Sequence, residues 1–314
     1  MGQGGRCAGG IAPAGSSRTR RRRPPRVAVL AAGTTPPDLP RMPSASLPDR
    51  GLVEVSGPDR AGFLQGLVSN DMAALENDAG TEMVWSALLS PQGKWLTDFL
   101  AFTTPALAPG AILLDLPRAD APLLVEKLSR FRLRSKVALA DRSGEIAVGA
   151  VWGEEPPMSS VVRRDPRLPA AGWRLYGTAL AGDPADYDRH RLELGLPEGA
   201  LDLDRDKTVL LEAGFDELSG IAWEKGCYMG QELTARTRYR GLLKRRLVPV
   251  AVEGPVPPRD TPVTLDGAAV GEMRSGRDGL GLALLRLEAA RAPALACGGS
   301  VLRPQVPDWM RLPG

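Results

Sequence analysis

The stretch MVWSALLSPQGKWLTDFLAF, residues 83–102, decides the fold class. Two apolar segments, 83–89 and 94–102, flank a turn of Ser, Pro, Gln and Gly, which predicts a tight antiparallel hairpin. Helical and strand-like segments alternate on both sides of it. Because a tight hairpin joins only antiparallel strands, the sequence predicts an α+β fold rather than a doubly wound parallel sheet.

Outward from the hairpin, hydrophobic spacing predicts the remaining elements. Strands are expected at 52–55, 111–116 and 137–140; helices at 59–69 (with Asp59 as N-cap), 123–131 and 183–194; and a surface loop at 153–172. After Gly241 the chain consists of short β-like segments separated by Gly and Pro. This pattern predicts a small C-terminal β-barrel or sandwich.

These patterns divide the chain into four segments: 1–41, 42–150, 151–241 and 242–314. Residues 1–41 contain eight arginines and one aspartate and show no apolar periodicity, so we expect them to be disordered. Three interpretations stay open: upstream translation before a true start at Met42, an organellar transit peptide, or a basic arm. The rest of the chain has 32 Lys and Arg against 36 Asp and Glu. That slightly acidic body makes direct nucleic-acid binding unlikely as a function.

Composition excludes several other functions. No apolar segment approaches the roughly 20 residues that span a bilayer, so no membrane insertion is expected. The three cysteines are Cys7, Cys227 and Cys297, and one histidine, His190, accompanies them. An odd, widely spaced set favours a reducing compartment over a disulfide framework. It also predicts no metal site formed by this chain alone.

The densest signal for chemistry is KGCYMGQE, residues 225–232. Gly226 and Gly230 leave space beside Cys227 for close approach of a ligand or another segment. The residues that follow favour a helix, so Cys227 is expected just before or within its first turn. Backbone N–H groups and Lys225 would then lower the pKa of the thiol. The alternative is a small buried cysteine without a chemical role.

A second candidate is Asp98, which the strand pattern places on one face with Leu96 and Leu100 and opposite Trp95. If that face is interior, the carboxylate needs a partner and is suited to bind a ligand N–H group or amine. If the strand lies at an edge, Asp98 is solvated. Both interpretations stay open.

Two further features have weaker support. Glu193, in the segment RHRLELGLP, could anchor an amide edge of a ligand or lie on a solvated helix face. A group of six basic residues follows the motif and could meet an acidic ligand, a phosphate backbone or solvent. It consists of Arg236, Arg238, Arg240, Lys244, Arg245 and Arg246.

At KGCYMGQELTARTRYRG, residues 225–241, the chain resembles the YgfZ-type folate-binding proteins of iron–sulfur cluster assembly and repair, relatives of the glycine-cleavage T-protein. Further similarities occur in the family's order, at 62–71, 88–99, 190–197 and 274–286. The resemblance implies two ferredoxin-like α+β units and a C-terminal β-barrel around a folate cavity.

The resemblance also implies site residues. Tetrahydrofolate, or a derivative, would be held by carboxylates at Asp98 and Glu193 together with the motif residues Gly226, Tyr228, Gly230, Gln231 and Glu232. Cys227 would be the functional thiol, with Lys225 beside it. T-proteins tend to have an acidic residue and a phenylalanine where this chain has Cys227 and Tyr228. That difference favours the YgfZ-type role over aminomethyl transfer.

The leading hypothesis is therefore a tetrahydrofolate-binding accessory factor for assembly or repair of [4Fe–4S] proteins, with assembly proteins and client enzymes as partners and iron–sulfur-dependent tRNA modification as a beneficiary. A folate-dependent one-carbon transferase and a basic RNA-binding module are the alternatives. Whether the chain is an enzyme stays open. We expect a bacterial cytoplasmic location, or the mitochondrial matrix if residues 1–41 are a transit peptide.

Overall fold

The computed structural model describes Met1 and residues 42–76, 82–156, 159 and 161–313. Contacts divide the chain into two units, Met1–Leu39 and Pro40–Gly314, and every element below belongs to the second. The expected disorder of residues 1–41 lies outside the described residues. The boundaries predicted near residues 150 and 241 stay predictions.

Fifteen strands lie in the described part of the second unit. They are β1 (Ser44–Ser46), β2 (Arg50–Ser56), β3 (Met83–Leu89), β4 (Trp95–Thr103), β5 (Ala111–Pro117), β6 (Ala138–Asp141), β7 (Val148–Val151), β8 (Val162–Arg164), β9 (Trp173–Tyr176), β10 (Arg245–Glu253), β11 (Pro262–Leu265), β12 (Ala268–Arg277), β13 (Leu280–Arg286), β14 (Leu295–Cys297) and β15 (Ser300–Pro304). They form a five-stranded sheet, a four-stranded sheet and a closed barrel.

The helices are short. They are α1 (Arg60–Gln65), α2 (Ala121–Phe131), α3 (Pro184–Leu194), α4 (Gly199–Asp202) and α5 (Gln231–Tyr239), with 3-10 turns at Ala73–Leu75, Arg118–Asp120, Pro169–Ala171, Leu210–Ala213 and Ala289–Arg291. Within the described residues, none has the length and apolar character needed to cross a membrane.

The hairpin of β3 and β4 lies in an antiparallel sheet with the order β3–β4–β5–β2–β6, which confirms the α+β prediction. The register shifts between Leu88 and Leu89, because Leu88 pairs with Thr97 while Leu89 pairs with Trp95. Leu96 is the extra residue of this β-bulge. Trp95 therefore shares a face with Asp98, and the alternation that placed it on the opposite face is wrong.

The second sheet has the order β1–β7–β9–β8 and is also antiparallel. Strand β8 lies within residues 153–172, so the prediction of an uninterrupted surface loop there is wrong. Asp165 and Arg167, which follow β8, are buried. The Pro- and Gly-rich composition did not predict this strand, because β8 forms by pairing with β9.

The C-terminal region closes into a barrel in the order β10–β13–β12–β11–β14–β15, with β15 returning to pair with β10. Its interior contains Val248, Val263, Met273 and Cys297, all fully buried. Because the sheet closes on itself, no strand of the barrel is left at an edge. Of the two predicted alternatives, barrel and sandwich, the structure shows the barrel.

One hydrophobic core joins the three substructures. It includes Trp85 and Leu113 from the five-stranded sheet, Tyr176 from the four-stranded sheet, and Leu282 and Leu284 from the barrel. The other face of the five-stranded sheet is covered by α1 and α2. The predicted cap of α1 is wrong in detail: the Asp59 carboxylate accepts a hydrogen bond from the Lys136 backbone N–H (2.7 Å) rather than from its own helix.

Candidate functional site

Hydrogen bonds to the segment after α1 hold the loop that carries KGCYMGQE. The Met229 N–H donates to the Gly66 carbonyl and the Ala222 N–H to the Ser69 carbonyl, both at 3.1 Å. The Lys225 ammonium donates to the carbonyls of Val68 and Asn70, each at 2.7 Å. Residues 62–71 and 225–232, which sequence similarity singled out separately, therefore meet in the fold.

The turn of the β3–β4 hairpin packs against the same loop. Gly230 has φ +81°, and a Cβ there would lie 2.6 Å from the Ser90 carbonyl and 2.9 Å from Gly93 Cα. A Cβ on Gly93 would in turn lie 2.6 Å from the Gly230 carbonyl. Glycine is required at both positions because two backbones touch there.

The side chain of Cys227 is exposed at the surface of this loop. Helix α5 begins at Gln231 with Gly230 as its N-cap residue, so Cys227 lies before the helix rather than within its first turn. Gly226, on the other side of the cysteine, has no neighbouring atom within 4 Å of the position of a Cβ. The thiol is therefore open to large molecules on a loop whose backbone is held in place.

Lys225 is buried beneath the loop and lies 5.2 Å from the centre of the Tyr228 ring. Burial lowers the pKa of Lys225 to about 8, and the nearby Asp71 carboxylate opposes that shift. Because the ammonium donates hydrogen bonds to two backbone carbonyls, it joins the loop to residues 68–70. Its expected role beside the thiol stays a prediction.

The other motif residues have mixed positions. Tyr228 is buried, and its backbone N–H donates to the Gln231 side-chain carbonyl at 3.3 Å. Glu232 is exposed and lies 3.8 Å from Arg236. The proposed folate contacts of Gly226, Tyr228, Gly230, Gln231 and Glu232 stay predictions.

Asp98 lies in β4, between β3 and β5, so its strand is central and the solvated-edge interpretation is wrong. Its carboxylate is 5% exposed and accepts hydrogen bonds from the indole N–H groups of Trp85 (2.9 Å) and Trp95 (3.1 Å). Burial raises the pKa of Asp98 to about 6, while the Trp85 hydrogen bond opposes the rise. Each carboxylate oxygen thus has a donor from the chain itself.

A buried charge network adjoins Asp98. Arg50 donates to Asp115 at 2.7 Å and to Glu198 at 2.5 Å, and the Tyr176 hydroxyl donates to the other Asp115 oxygen at 2.9 Å. Burial alone would raise the pKa of Glu198, but the surrounding arginines, Arg50 foremost, lower it to about 2.

A second part of the network connects the segment after β8 to α3. Arg167 forms two hydrogen bonds to Asp165, at 3.0 and 2.7 Å, and donates to the Tyr187 hydroxyl at 3.3 Å. Arg174 also donates to that hydroxyl and lies over the Tyr187 ring, 4.8 Å from its centre. All of these side chains are buried.

Glu193 is not brought to this network. Its carboxylate is 46% exposed and lies 3.0 Å from Arg189 on the outer face of α3. The carboxylate near Asp98 is Glu198, in the turn before α4, which sequence reasoning missed. Asp115 was also missed, although it interrupts the apolar strand AILLDLP as Asp98 interrupts WLTDFLAF, and that shared pattern could have found it.

Two cavities lie near these residues. A cavity of about 450 Å³ is bordered by Arg50, Tyr187, Arg191 and Glu198 and extends to β12 of the barrel. A groove of about 870 Å³ runs between α5 and the ends of β10 and β13. Asp98 borders neither.

Comparison with known proteins places these features in a class. The fold matches that of the glycine cleavage system aminomethyltransferase T from Bartonella henselae, with a TM-score of 0.65, 16% identity and 86% of each chain covered. Residues 244–312 match the sequence model of the CAF17 C-terminal beta-barrel domain. The chain thus has an aminomethyltransferase-type fold with a C-terminal barrel, as the resemblance implied.

Sequence relatives define the family within that class. The mouse mitochondrial iron-sulfur cluster assembly factor IBA57 is 35% identical to this chain, and the match covers 88% of each protein. The human protein of the same name is 33% identical, and the match covers 93% of each protein. The Mycosarcoma maydis homologue is 34% identical over 79% of this chain and 74% of its own. The chain belongs to the IBA57 family.

Proposed function

We propose that this protein acts in iron–sulfur cluster assembly and that Cys227 is its functional thiol. The observation that carries the proposal is an exposed cysteine on a loop that two other segments of the chain hold in place. The relatives are named as assembly factors, which supports the same role. Thiolates are the usual ligands of iron–sulfur clusters, so the cluster is the cargo on which this thiol would act.

The three cysteines cannot supply the four ligands that a cluster ordinarily takes, so a contact through Cys227 would be transient and shared with a partner. Assembly proteins and client [4Fe–4S] enzymes, including those that modify tRNA, are the proposed partners. Because the named relatives are mitochondrial, we propose the mitochondrion as the location, which is the second of the two placements expected from the sequence.

The test replaces the thiol while keeping the loop. In a Cys7→Ser background, Cys227→Ser should leave the thermal unfolding midpoint unchanged and abolish rescue of a [4Fe–4S] enzyme in cells that lack the native assembly factor. Cys297 provides an internal control because it is fully buried in the barrel, where burial raises the pKa of its thiol. Cys227 should therefore be alkylated at least about tenfold faster. Full rescue by the serine variant would exclude the thiol.

Tetrahydrofolate is the proposed ligand, at a position different from the one expected. Asp98 already receives an indole N–H at each oxygen, and Glu193 lies on an exposed face. The lining of the cavity of about 450 Å³ fits this ligand. The Glu198 carboxylate would accept hydrogen bonds from pterin N–H groups, the Tyr187 ring would contact an aromatic ring, and Arg259 and Arg277 would bind the glutamate carboxylates. When bound, folate would supply a carrier for one-carbon units.

Calorimetric titration under anaerobic, reducing conditions tests this placement. Arg277→Ala should weaken tetrahydrofolate binding without unfolding the protein, since the Arg277 side chain is 42% exposed. Unchanged affinity, or no binding by the natural chain, would remove the ligand from this cavity. Turnover of tetrahydrofolate with an amine or methyl donor would support the transferase alternative instead.

A further inference from the structure

The group of basic residues that follows the motif divides into two sets. Arg246 is buried and lies 2.9 Å from Glu217, and Arg245 lies 3.2 Å from Glu212. Lys244 is exposed and, among the described residues, has no carboxylate within ion-pair distance. Arg245 and Arg246 are therefore neutralised within the fold, whereas Lys244 leaves a positive charge at the surface.

The groove of about 870 Å³ presents that remaining charge around an apolar floor. The floor is formed by Val209, Leu233, Leu242, Leu243 and Leu287. Arg236, Lys244 and Arg286 lie at its rim, and Arg236 has only a long contact, 3.8 Å, with an exposed glutamate. Leu242 is 47% exposed, so part of this apolar lining is open to solvent.

The strands beside the groove place two like charges together. Arg245 and Arg286 are paired directly across β10 and β13, an arrangement that is destabilising unless the charges are compensated. Glu212 compensates Arg245. Arg286 has no carboxylate partner in the part of the chain that the structure describes, so an anionic group bound in the groove would compensate it.

We propose that this groove, lined by α5 and the ends of β10 and β13, binds an acidic amphipathic segment of the protein that exchanges its cluster at Cys227. The segment would place apolar side chains on the leucine floor and carboxylates against Lys244, Arg236 and Arg286. This proposal rests on the proposed function of Cys227 and identifies the chemistry of its partner.

The geometry connects the groove to the thiol. Leu233 belongs to the groove floor and packs against Gly93, the hairpin residue that touches Gly230. Helix α5 has nine residues and is therefore about 14 Å long, and the cysteine loop lies at its start. A segment bound beside α5 would hold the rest of its protein next to Cys227.

An acidic peptide suits the groove better than a phosphate backbone. Glu288 also lines the groove, and its negative charge among the cations would repel a continuous row of phosphates. The floor consists of aliphatic side chains rather than aromatic rings on which bases stack.

Fluorescence anisotropy on the full chain tests the proposal. The probes are a short labelled peptide with leucines at helical spacing and glutamates elsewhere, a matched peptide with lysines in place of the glutamates, and a single-stranded RNA of the same net charge. The natural protein should bind the glutamate peptide in preference to both others. The double variant Lys244→Glu/Arg286→Glu should bind it about tenfold more weakly.

The matched control is Arg132→Glu/Arg134→Glu, a double charge reversal at exposed positions after α2, which should leave peptide affinity unchanged. Equal binding by the groove variant and the control, or tighter binding of RNA than of peptide, would overturn the proposal. Cys227→Ser separates the two proposals, because it should abolish cluster-dependent rescue and keep peptide binding. Rescue by Cys227→Ser together with loss of peptide binding in the groove variant would remove the thiol's role and keep the groove.

Discussion

Cys227 and Asp98 lie in regions that position a polar side chain in opposite ways. The cysteine loop is held by its backbone, through hydrogen bonds to Gly66 and Ser69 and the contact between Gly230 and Gly93, and its thiol remains exposed. Asp98 is held by its side chain, because two indoles occupy the carboxylate and burial removes it from solvent. The first arrangement leaves the side chain free to act on a partner, whereas the second uses the side chain for the fold.

This comparison has an energetic consequence. A group that its partners satisfy in the interior contributes to stability, and removing a partner is costly. A group on a loop fixed by its backbone can be changed with little effect on stability. Substitutions in the two regions should therefore separate effects on stability from effects on function.

The largest expected effect is that of Arg50→Ala in the buried network. The change leaves Asp115 and Glu198 without their shared partner, and loss of one member of a buried ion pair costs about 3–5 kcal/mol. Urea unfolding at neutral pH measures the loss. Arg130→Ala, which removes an exposed pair with Glu126, should cost less than about 0.5 kcal/mol. Similar losses for both variants would contradict the interior role of the network.

A somewhat smaller effect should appear as opposite pH dependences of two carboxylates. The folded pKa of Asp98 is about 6, above its unfolded value, so its contribution is complete below about pH 4 and is lost as the pH rises through 6. The folded pKa of Glu198 is about 2, below its unfolded value, so its contribution is complete above about pH 4.5 and is lost as the pH falls towards 2.

Unfolding free energies measured across this pH range should show both slopes. Relative to Asp98→Asn, the natural chain should lose about 3 kcal/mol between pH 4 and 7. Relative to Glu198→Gln, it should instead gain stability as the pH rises from about 2 to 4.5. Parallel slopes for the two variants would mean that the two carboxylates do not have opposite pKa shifts.

The two regions also differ in how far the sequence predicts them. The hairpin, the α+β class and the barrel follow from apolar periodicity and turn residues, which are local. The position of Trp95 beside Asp98 does not, because a bulge at Leu96 changes the alternation, and the bulge depends on pairing with β3. Local pattern thus identified Asp98 but not its partners.

The choice between Glu193 and Glu198 shows the same limit. Glu193 lies in a regular helix, where spacing from the buried Arg191 already favours an outward position. Glu198 lies in a turn and faces the interior because Arg50, distant in sequence, binds it. A contact between residues so distant in sequence cannot be predicted from the local pattern around Glu198. The motif around Cys227 was easier to identify because one of its glycines, Gly230, marks a close backbone approach.

The smallest expected effect compares the two glycines beside Cys227. Gly230→Ala places a Cβ at φ +81° against the Ser90 carbonyl and Gly93, and it should cost about 1–2 kcal/mol. Gly226→Ala, where no atom lies within 4 Å and φ is not positive, should be nearly neutral. Hydrogen exchange should quicken at the Met229 amide in the first variant only. Equal exchange in both variants would mean that the contact with the hairpin does not hold the cysteine loop.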